Sequence, residues 1–454
     1  MQNPSELEQF LQARASAGLV ESQGQFTLER SEALRKIAEY QLPFPAAWAV
    51  KIIQAIVAGG SAQASAFGIR VELLATEIRF HFLDPGFSLD EIEERFPNPQ
   101  PSANRALRHL LSGLWAVGLR DKWGFQVAFP GQSTTLLWDG ESLSRVESRL
   151  LREHACISLA PLQQKSSLSW VGGVARAGER NAEILLTLIG KCYACPLRLT
   201  VDGRRVDSLL RAGNHGWSRY TCPIQVGFAD APLPNLAIPP GTFEGPPEPL
   251  KREFSDRARV GWRSYSEQRV RDLPFRGEAS LAFILCINLQ ESDKATTAGW
   301  DAAEGPSTVY WVLDGAVVGE ESLLDLGLHC SVGCFLSAEG LQTDLSTFDL
   351  LSSAERDRRL QQMRESVAAA LELVDDSDFD LMVTRQAKNR RFWGGVSIAV
   401  GAAAIFVFAG SGLGACIVGG AMIATAGSQE RSSVRSARDS LQRLREKLRE
   451  SGAS

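Results

Sequence analysis

The stretch Thr76-Glu77-Ile78-Arg79-Phe80-His81-Phe82, followed by Asp84-Pro85-Gly86 and by an apolar-periodic run from Leu89 to Phe96, decides the fold class. Ile78, Phe80 and Phe82 alternate with polar side chains, the pattern of a strand with one buried face. Asp-Pro-Gly is a turn sequence, and the spacing after it predicts a helix. A half-buried strand that feeds a helix belongs to a layered fold, with helices packed on a sheet. The first unit is therefore read as an α+β layer structure.

Working outward, residues from about 4 to 40 carry apolar positions at helical spacing, as in Leu34, Ile37 and Ala38, up to the break Leu42-Pro43-Phe44-Pro45. Trp48, Ile52, Ala55 and Ile56 then form one face of a helix that ends at Gly59-Gly60. Downstream, a helix is predicted over Ser102 to Gly118, and strands over Gly124 to Phe129 and Thr134 to Trp138. A second unit takes shape near Ser166. It has a helix from Asn181 to Ile189, a strand from Pro196 to Val201 with an Asp202-Gly203 turn, and a proline-rich loop from Asp230 to Pro249. Strands return at Ala279 to Asn288 and at Val309 to Leu313, the latter closed by Asp314-Gly315, which suggests a mixed sheet with hairpins. Ser352-Ser353-Ala354-Glu355 carries a capping-box signature for a helix running to about Val374.

The 454 residues allow two to four units, and the 44% hydrophobic and 22% charged content is ordinary for chains that fold in water. The net charge of -5 provides no basic field, which disfavours nucleic acid as a partner. From Phe392 to Gln429 the chain carries no charge and reads FWGGVSIAVGAAAIFVFAGSGLGACIVGGAMIATAGSQ. A spanning helix takes about 20 apolar residues. The stretch is thus long enough for one extended span, or for two short ones joined at Ser411-Gly412-Leu413-Gly414. Arg385, Lys388, Arg390 and Arg391 precede it and Arg431, Arg435 and Arg438 follow it, so the positive-inside tendency favours a hairpin with both ends in the cytoplasm. Trp393 stands at its start. Gly401, Gly410, Gly414, Gly419 and Gly420 supply small surfaces for close helix approach. A buried soluble hairpin is the alternative. Residues 1–39 have no signal-peptide core, so the soluble units are expected in the cytoplasm. The lipid bilayer is the expected partner. Val434, Ala437, Leu441, Leu444 and Leu448 then mark an amphipathic helix for packing or self-association.

The order of segments resembles the GHKL nucleotide-binding fold, most closely its ninety-kilodalton heat-shock chaperone branch, followed by a transducer-like domain. The resemblance covers about Pro43 to Asp349 and lies in layout more than in identity. In the family motif ELxxNAxDA, the Glu positions the attacking water and the Asn holds magnesium. Gln54 and Ala58 stand at those places here. An amide is no proton acceptor, and a methyl group offers no oxygen to a hard cation. The adenine-binding DxGxG motif is matched by Asp84 and Gly86, while Ser88 departs from it. Of the GxxGxG lid hinge, only Gly113 remains. In the second unit Asp344 replaces an Asn, and Thr347 replaces the Arg that reaches the phosphates. The resemblance thus implies a layout kept while phosphate chemistry is lost. If a nucleotide site is retained, Asp84, Gly86 and Gly113 are its residues; no catalytic residue and no metal ligand is assigned.

This gives a lead-in at 1–42, a GHKL-like domain at 43–150, a transducer-like α/β domain at 151–350, a helical linker at 351–391, a membrane segment at 392–429 and a C-terminal helix at 430–454. Cys192-Tyr193-Ala194-Cys195 could form half of a zinc site with His329, Cys330 and Cys334, but the second group has odd spacing, and buried thiols are the default reading. The 5 histidines are dispersed, and no nucleophile elbow, zinc-protease motif or phosphate-loop lysine is present. Asp90, Glu91, Glu93 and Glu94 read as a solvated helix face. The expected function is a membrane-tethered pseudo-ATPase in a bacterial cell, acting as a scaffold or partner-binding module without a cofactor. The alternatives are a weak ATP-binding chaperone-like ATPase, and an effector whose glycine-rich hairpin oligomerises in the membrane.

Overall fold

The computed structural model describes residues 42–60, 67–83, 86–98, 102–147, 153–162, 170–207, 209, 219–229, 232–237, 263–264, 278–291, 300–302, 304–344, 346–372 and 438–450. They form an α+β architecture with two mixed sheets. Asp84, the lead-in at 1–41 and the whole apolar stretch, with Trp393, Gly401, Gly410, Gly414, Gly419 and Gly420, lie outside the described residues. Among the described residues no helix is long and apolar enough to cross a membrane.

The first sheet begins with β1 (Ile69–Leu73) and β2 (Ile78–Phe82), which pair antiparallel. Every second residue of β2 is buried, as its alternation predicts. β3 (Trp123–Ala128), β4 (Thr134–Trp138), β5 (Leu143–Glu147), β6 (Ala155–Pro161), β7 (Leu199–Val201) and β8 (Arg204–Arg205) complete eight strands in the order β5-β4-β3-β6-β2-β1-β7-β8. The sheet thus runs across position 150, drawing three of its strands from beyond it. The β1–β7 pairing is parallel, so the chain returns to the sheet edge through a crossover that contains a long helix.

Helix α1 (Ala47–Gly59), helix α2 (Leu89–Arg95) and helix α3 (Arg105–Trp115) share the apolar core of this sheet. α2 starts where the sequence places it, because Ser88 and Glu91 form a reciprocal capping box. α3 starts at Asn104, whose side chain accepts the amide of Leu107. The helix expected over Ser102 to Gly118 is in fact two pieces, since the chain changes to a π turn over Ala116–Arg120. α4 (Trp170–Lys191) is longer than the expected Asn181 to Ile189, starting upstream through the Gly172-Gly173 pair.

The second sheet contains β9 (Arg219–Ala229), β11 (Arg263–Ser264), β13 (Leu281–Glu291), β15 (Gly305–Leu313), β16 (Ala316–Leu328) and β17 (Cys330–Ser337). Its main path is β11-β9-β13-β17-β15-β16. β14 (Trp300–Ala302) pairs with β13, while β10 (Leu236–Ala237) and β12 (Glu278–Ala279) form a separate small pair. β17 lies between β13 and β15, antiparallel to the first and parallel to the second. The hairpin turns at Asp202-Gly203 and Asp314-Gly315 have positive φ at both residues, which is what a two-residue turn matched to strand twist requires.

α5 (Ala354–Leu371) closes this core. Ser353 caps it by accepting the amide of Arg356. Met363, Val367 and Leu371, spaced by four, are fully buried. Residues 438–450 form a further helix, α6, whose Leu441, Leu444 and Leu448 join the same apolar cluster. Burying a leucine contributes about 1.5–3 kcal/mol. The spacing that predicts an amphipathic helix thus finds its partner within this chain.

Candidate functional site

The residues singled out by sequence converge on the seam between α1, α3 and the second sheet. Gln54 is fully buried on α1, and its side-chain amide donates to the carbonyl of Leu313 at the end of β15, at 3.0 Å. Its amide oxygen is buried and has no hydrogen-bond partner among the described residues. Ala58 lies one turn later, half-buried. Gly113, on α3, faces α1. A Cβ there would lie 3.1 Å from the carbonyl oxygen of Trp48.

Gly86 has φ +62, and a Cβ there would meet the Cα of Gly59 at 2.4 Å. Only glycine lets this turn lie against the C-terminal end of α1. Asn104 fastens it further by donating to the Gly86 carbonyl at 3.1 Å. Ser88, the departure from the adenine motif, is occupied as the cap of α2.

Thr347 also has a positive φ and accepts a hydrogen bond from the buried amine of Lys51. The amine sits 4.3 Å from the centre of the Phe348 ring. Asp344 anchors this loop, accepting from Ser346 Oγ and from the amides of Phe348 and Asp349. Burial pushes its carboxyl upward, but these hydrogen bonds outweigh it, and the net effect is below the usual carboxylate range.

Beside them, Asp314 of the β15–β16 turn receives two partners from α3. Arg105 reaches it at 2.9 Å and His109 Nε2 at 3.0 Å, while the second arm of Arg105 bonds Glu339 at 2.6 Å. The side chains of His109 and Asp314 are 7% and 6% exposed, so this contact is shielded from water. Burial is the main influence on both bases. It lowers Lys51 to about 7 against the pull of Asp344 and Asp314, and it lowers His109 below its ordinary value despite the Asp314 hydrogen bond. A neutral His109 protonated on Nε2 is the tautomer that donates to the carboxylate.

The structure therefore brings together Gln54, Gly113 and Thr347, with Gly86 at the far end of α1, and surrounds them with ionisable groups that sequence reasoning missed: Lys51, Arg105, His109 and Asp314. One signal was available. Lys51 is the only charge within the apolar run from Ala46 to Gly60. By sequence pattern Asp314 is only a turn residue. Among the described residues no group of three His, Cys, Asp or Glu side chains could hold a metal ion. Cys192 and Cys195 are buried in the core of the first sheet and Cys330 and Cys334 in that of the second, and burial raises all four thiols above their ordinary values.

No family model matches this chain. No curated protein matches it either. Among solved structures, it is similar to one described as the N-terminal domain of a DNA repair protein, at 9% identity and a TM-score of 0.32, over 76% of this chain and 99% of the other. A likeness of that size carries no argument about fold or function.

Proposed function

We propose that the protein is a membrane-tethered scaffold of GHKL-like layout that has given up nucleotide hydrolysis, with its soluble units facing the cytoplasm. The observation that carries this reading is the use made of Gln54. The side chain standing for the water-positioning carboxylate is sealed from solvent and spent on the Leu313 carbonyl, so it serves to join two layers. Thr347, standing for the phosphate-reaching Arg, is likewise spent on Lys51. Residues that would serve a ligand in the family are fasteners here. The output then falls to the bilayer segment and to partner proteins or further copies of the chain, with no cofactor needed.

Purified full-length protein in detergent is expected to show no magnesium-dependent ATP hydrolysis above background and no thermal stabilisation by ATP with magnesium. Gln54→Glu is expected to restore no activity. It replaces a donor with a carboxylate facing a carbonyl, at a cost of about 1–3 kcal/mol. A hydrolysis rate that Asp84→Asn abolishes would overturn the proposal.

A further inference from the structure

The turn Cys192-Tyr193-Ala194-Cys195 follows the C-terminal end of α4 and is shared between the two cores. Cys192 and Cys195 are buried in the apolar cluster of the first sheet, and Tyr193 and Ala194 in that of the second. The Tyr193 ring stands edge-on to Tyr310 of β15 and Phe335 of β17, with ring centres 6.2 Å apart in each pair. The amide of Cys195 donates to the Cys192 carbonyl at 3.1 Å, the bond that closes a four-residue turn. Such a turn holds its first and last Cα atoms within about 7 Å, the range that a disulfide spans. Both thiols are free, and both side chains enter the same cluster. Cys330 and Cys334 differ: they lie four apart on β17, where an extended strand sets their Cα atoms about 13 Å apart, too far to bridge.

The cover over this turn is the β15–β16 turn. A Cβ on Gly315 would lie 2.9 Å from Pro196 Cδ and 3.2 Å from the Cα of Cys195, and Ala316 is buried in the same cluster as the two cysteines. Arg105 and His109 hold the adjoining Asp314 in place. While the cover is closed, burial pushes both thiols above their ordinary values, so neither is a nucleophile. Separation of the sheets at this seam returns them to water, where a thiol ionises near about pH 8.5.

We propose that Cys192 and Cys195 form a reversible dithiol–disulfide site that reacts with low-molecular-weight disulfides when the seam between the sheets opens. One cysteine thiolate attacks the reagent disulfide, giving a mixed disulfide and one expelled thiolate. The other cysteine thiolate then attacks the protein sulfur of that mixed disulfide, forming the Cys192–Cys195 bond and expelling the second thiolate. The protein loses two electrons and two protons, and the reagent gains them as two thiols. Because the turn makes the second step intramolecular, the mixed disulfide does not persist. Opening of the seam is thereby recorded in a covalent bond that excess thiol removes.

Full-length protein in detergent is treated with 4,4′-dithiodipyridine, digested and analysed by mass spectrometry, beside Cys192→Ser, Cys195→Ser, Asp314→Asn and Gly315→Ala. The expected result is a peptide carrying the Cys192–Cys195 bond, restored to two thiols by dithiothreitol, and a lasting mixed adduct at the remaining cysteine of each serine variant. Asp314→Asn and Gly315→Ala loosen the cover and should form the bond about tenfold faster than the parent protein, while Cys330 and Cys334 stay unmodified. Lasting mixed adducts at both cysteines of the parent, bonds from either to a different cysteine, or no reaction in the two loosened variants overturns the site. An equal rate in the parent and both loosened variants, or modification of Cys330 and Cys334 in step with the bond, overturns its control by the seam.

Discussion

Two joints hold the second sheet to its neighbours, and they are made of opposite materials. At the seam with α1 and α3, the fasteners are Lys51, Gln54, Arg105, His109 and Asp314, all meeting polar partners. At the seam with α6, three leucines lie against α5, and the polar contacts sit at the rim. Apolar burial is strong but indifferent to exact geometry. A buried charge set is costly unless every member is satisfied, and so it selects one arrangement over others. The first joint therefore fixes how the units meet, and the second supplies holding strength.

The largest effect is expected from attacking the apolar joint. Leu444→Asp places a charge among buried side chains and should exceed the about 2–5 kcal/mol of a buried Leu→Ala truncation. Protease should then remove residues 438–450 at concentrations that leave the parent protein intact. Asp314→Asn comes next, because it keeps a residue that tolerates positive φ while removing the carboxylate that Arg105 and His109 share; Arg105 is 39% exposed and keeps Glu339, so the loss is expected to be about 1–3 kcal/mol, read by denaturant unfolding.

Lys51 sharpens the contrast by pH. Its amine is protonated up to its ordinary value of 10.5 in the unfolded chain, but only up to about 7 in the fold. Folding thus releases a proton between those limits, and stability should rise with pH from about 7 toward 10.5, with no contribution to the slope from this group below 7. His109, lowered from 6.5, acts in the same sense just below that value. Lys51→Met should flatten the rise in melting temperature above pH 7, whereas the apolar joint should show no such slope. Arg449→Ala is the smallest change. Its ion pair is largely exposed, and the loss should stay within about 1 kcal/mol, shrinking further in high salt.

Much of the fold was legible in the sequence. β2, the start of α2, the bounds of β4 and both Asp-Gly turns follow from short-range pattern. β16 and β17 were missed for physical reasons. β16 pairs with β15 through repeated register shifts, which break its alternation, and β17 is buried on both faces and interrupted by Gly333, so it has no period to read. The candidate site was legible in part. Gln54, Gly86, Gly113 and Thr347 were named, but as remnants of a ligand site, while the groups that now engage them were not.

Short-range pattern alone carries the α+β class, the start of α2, the glycine turns, an uncharged stretch and a leucine stripe after it. These depend on neighbours within a turn of helix or a strand, where spacing carries the information. What each is joined to is set by packing. Lys51 meets Thr347 across 296 positions, His109 meets Asp314 across 205, and Arg445 reaches Leu371 across 74. No local pattern encodes such partners, because a buried polar side chain shows only that it needs one. Which one it receives is set by how two sheets and their helices pack.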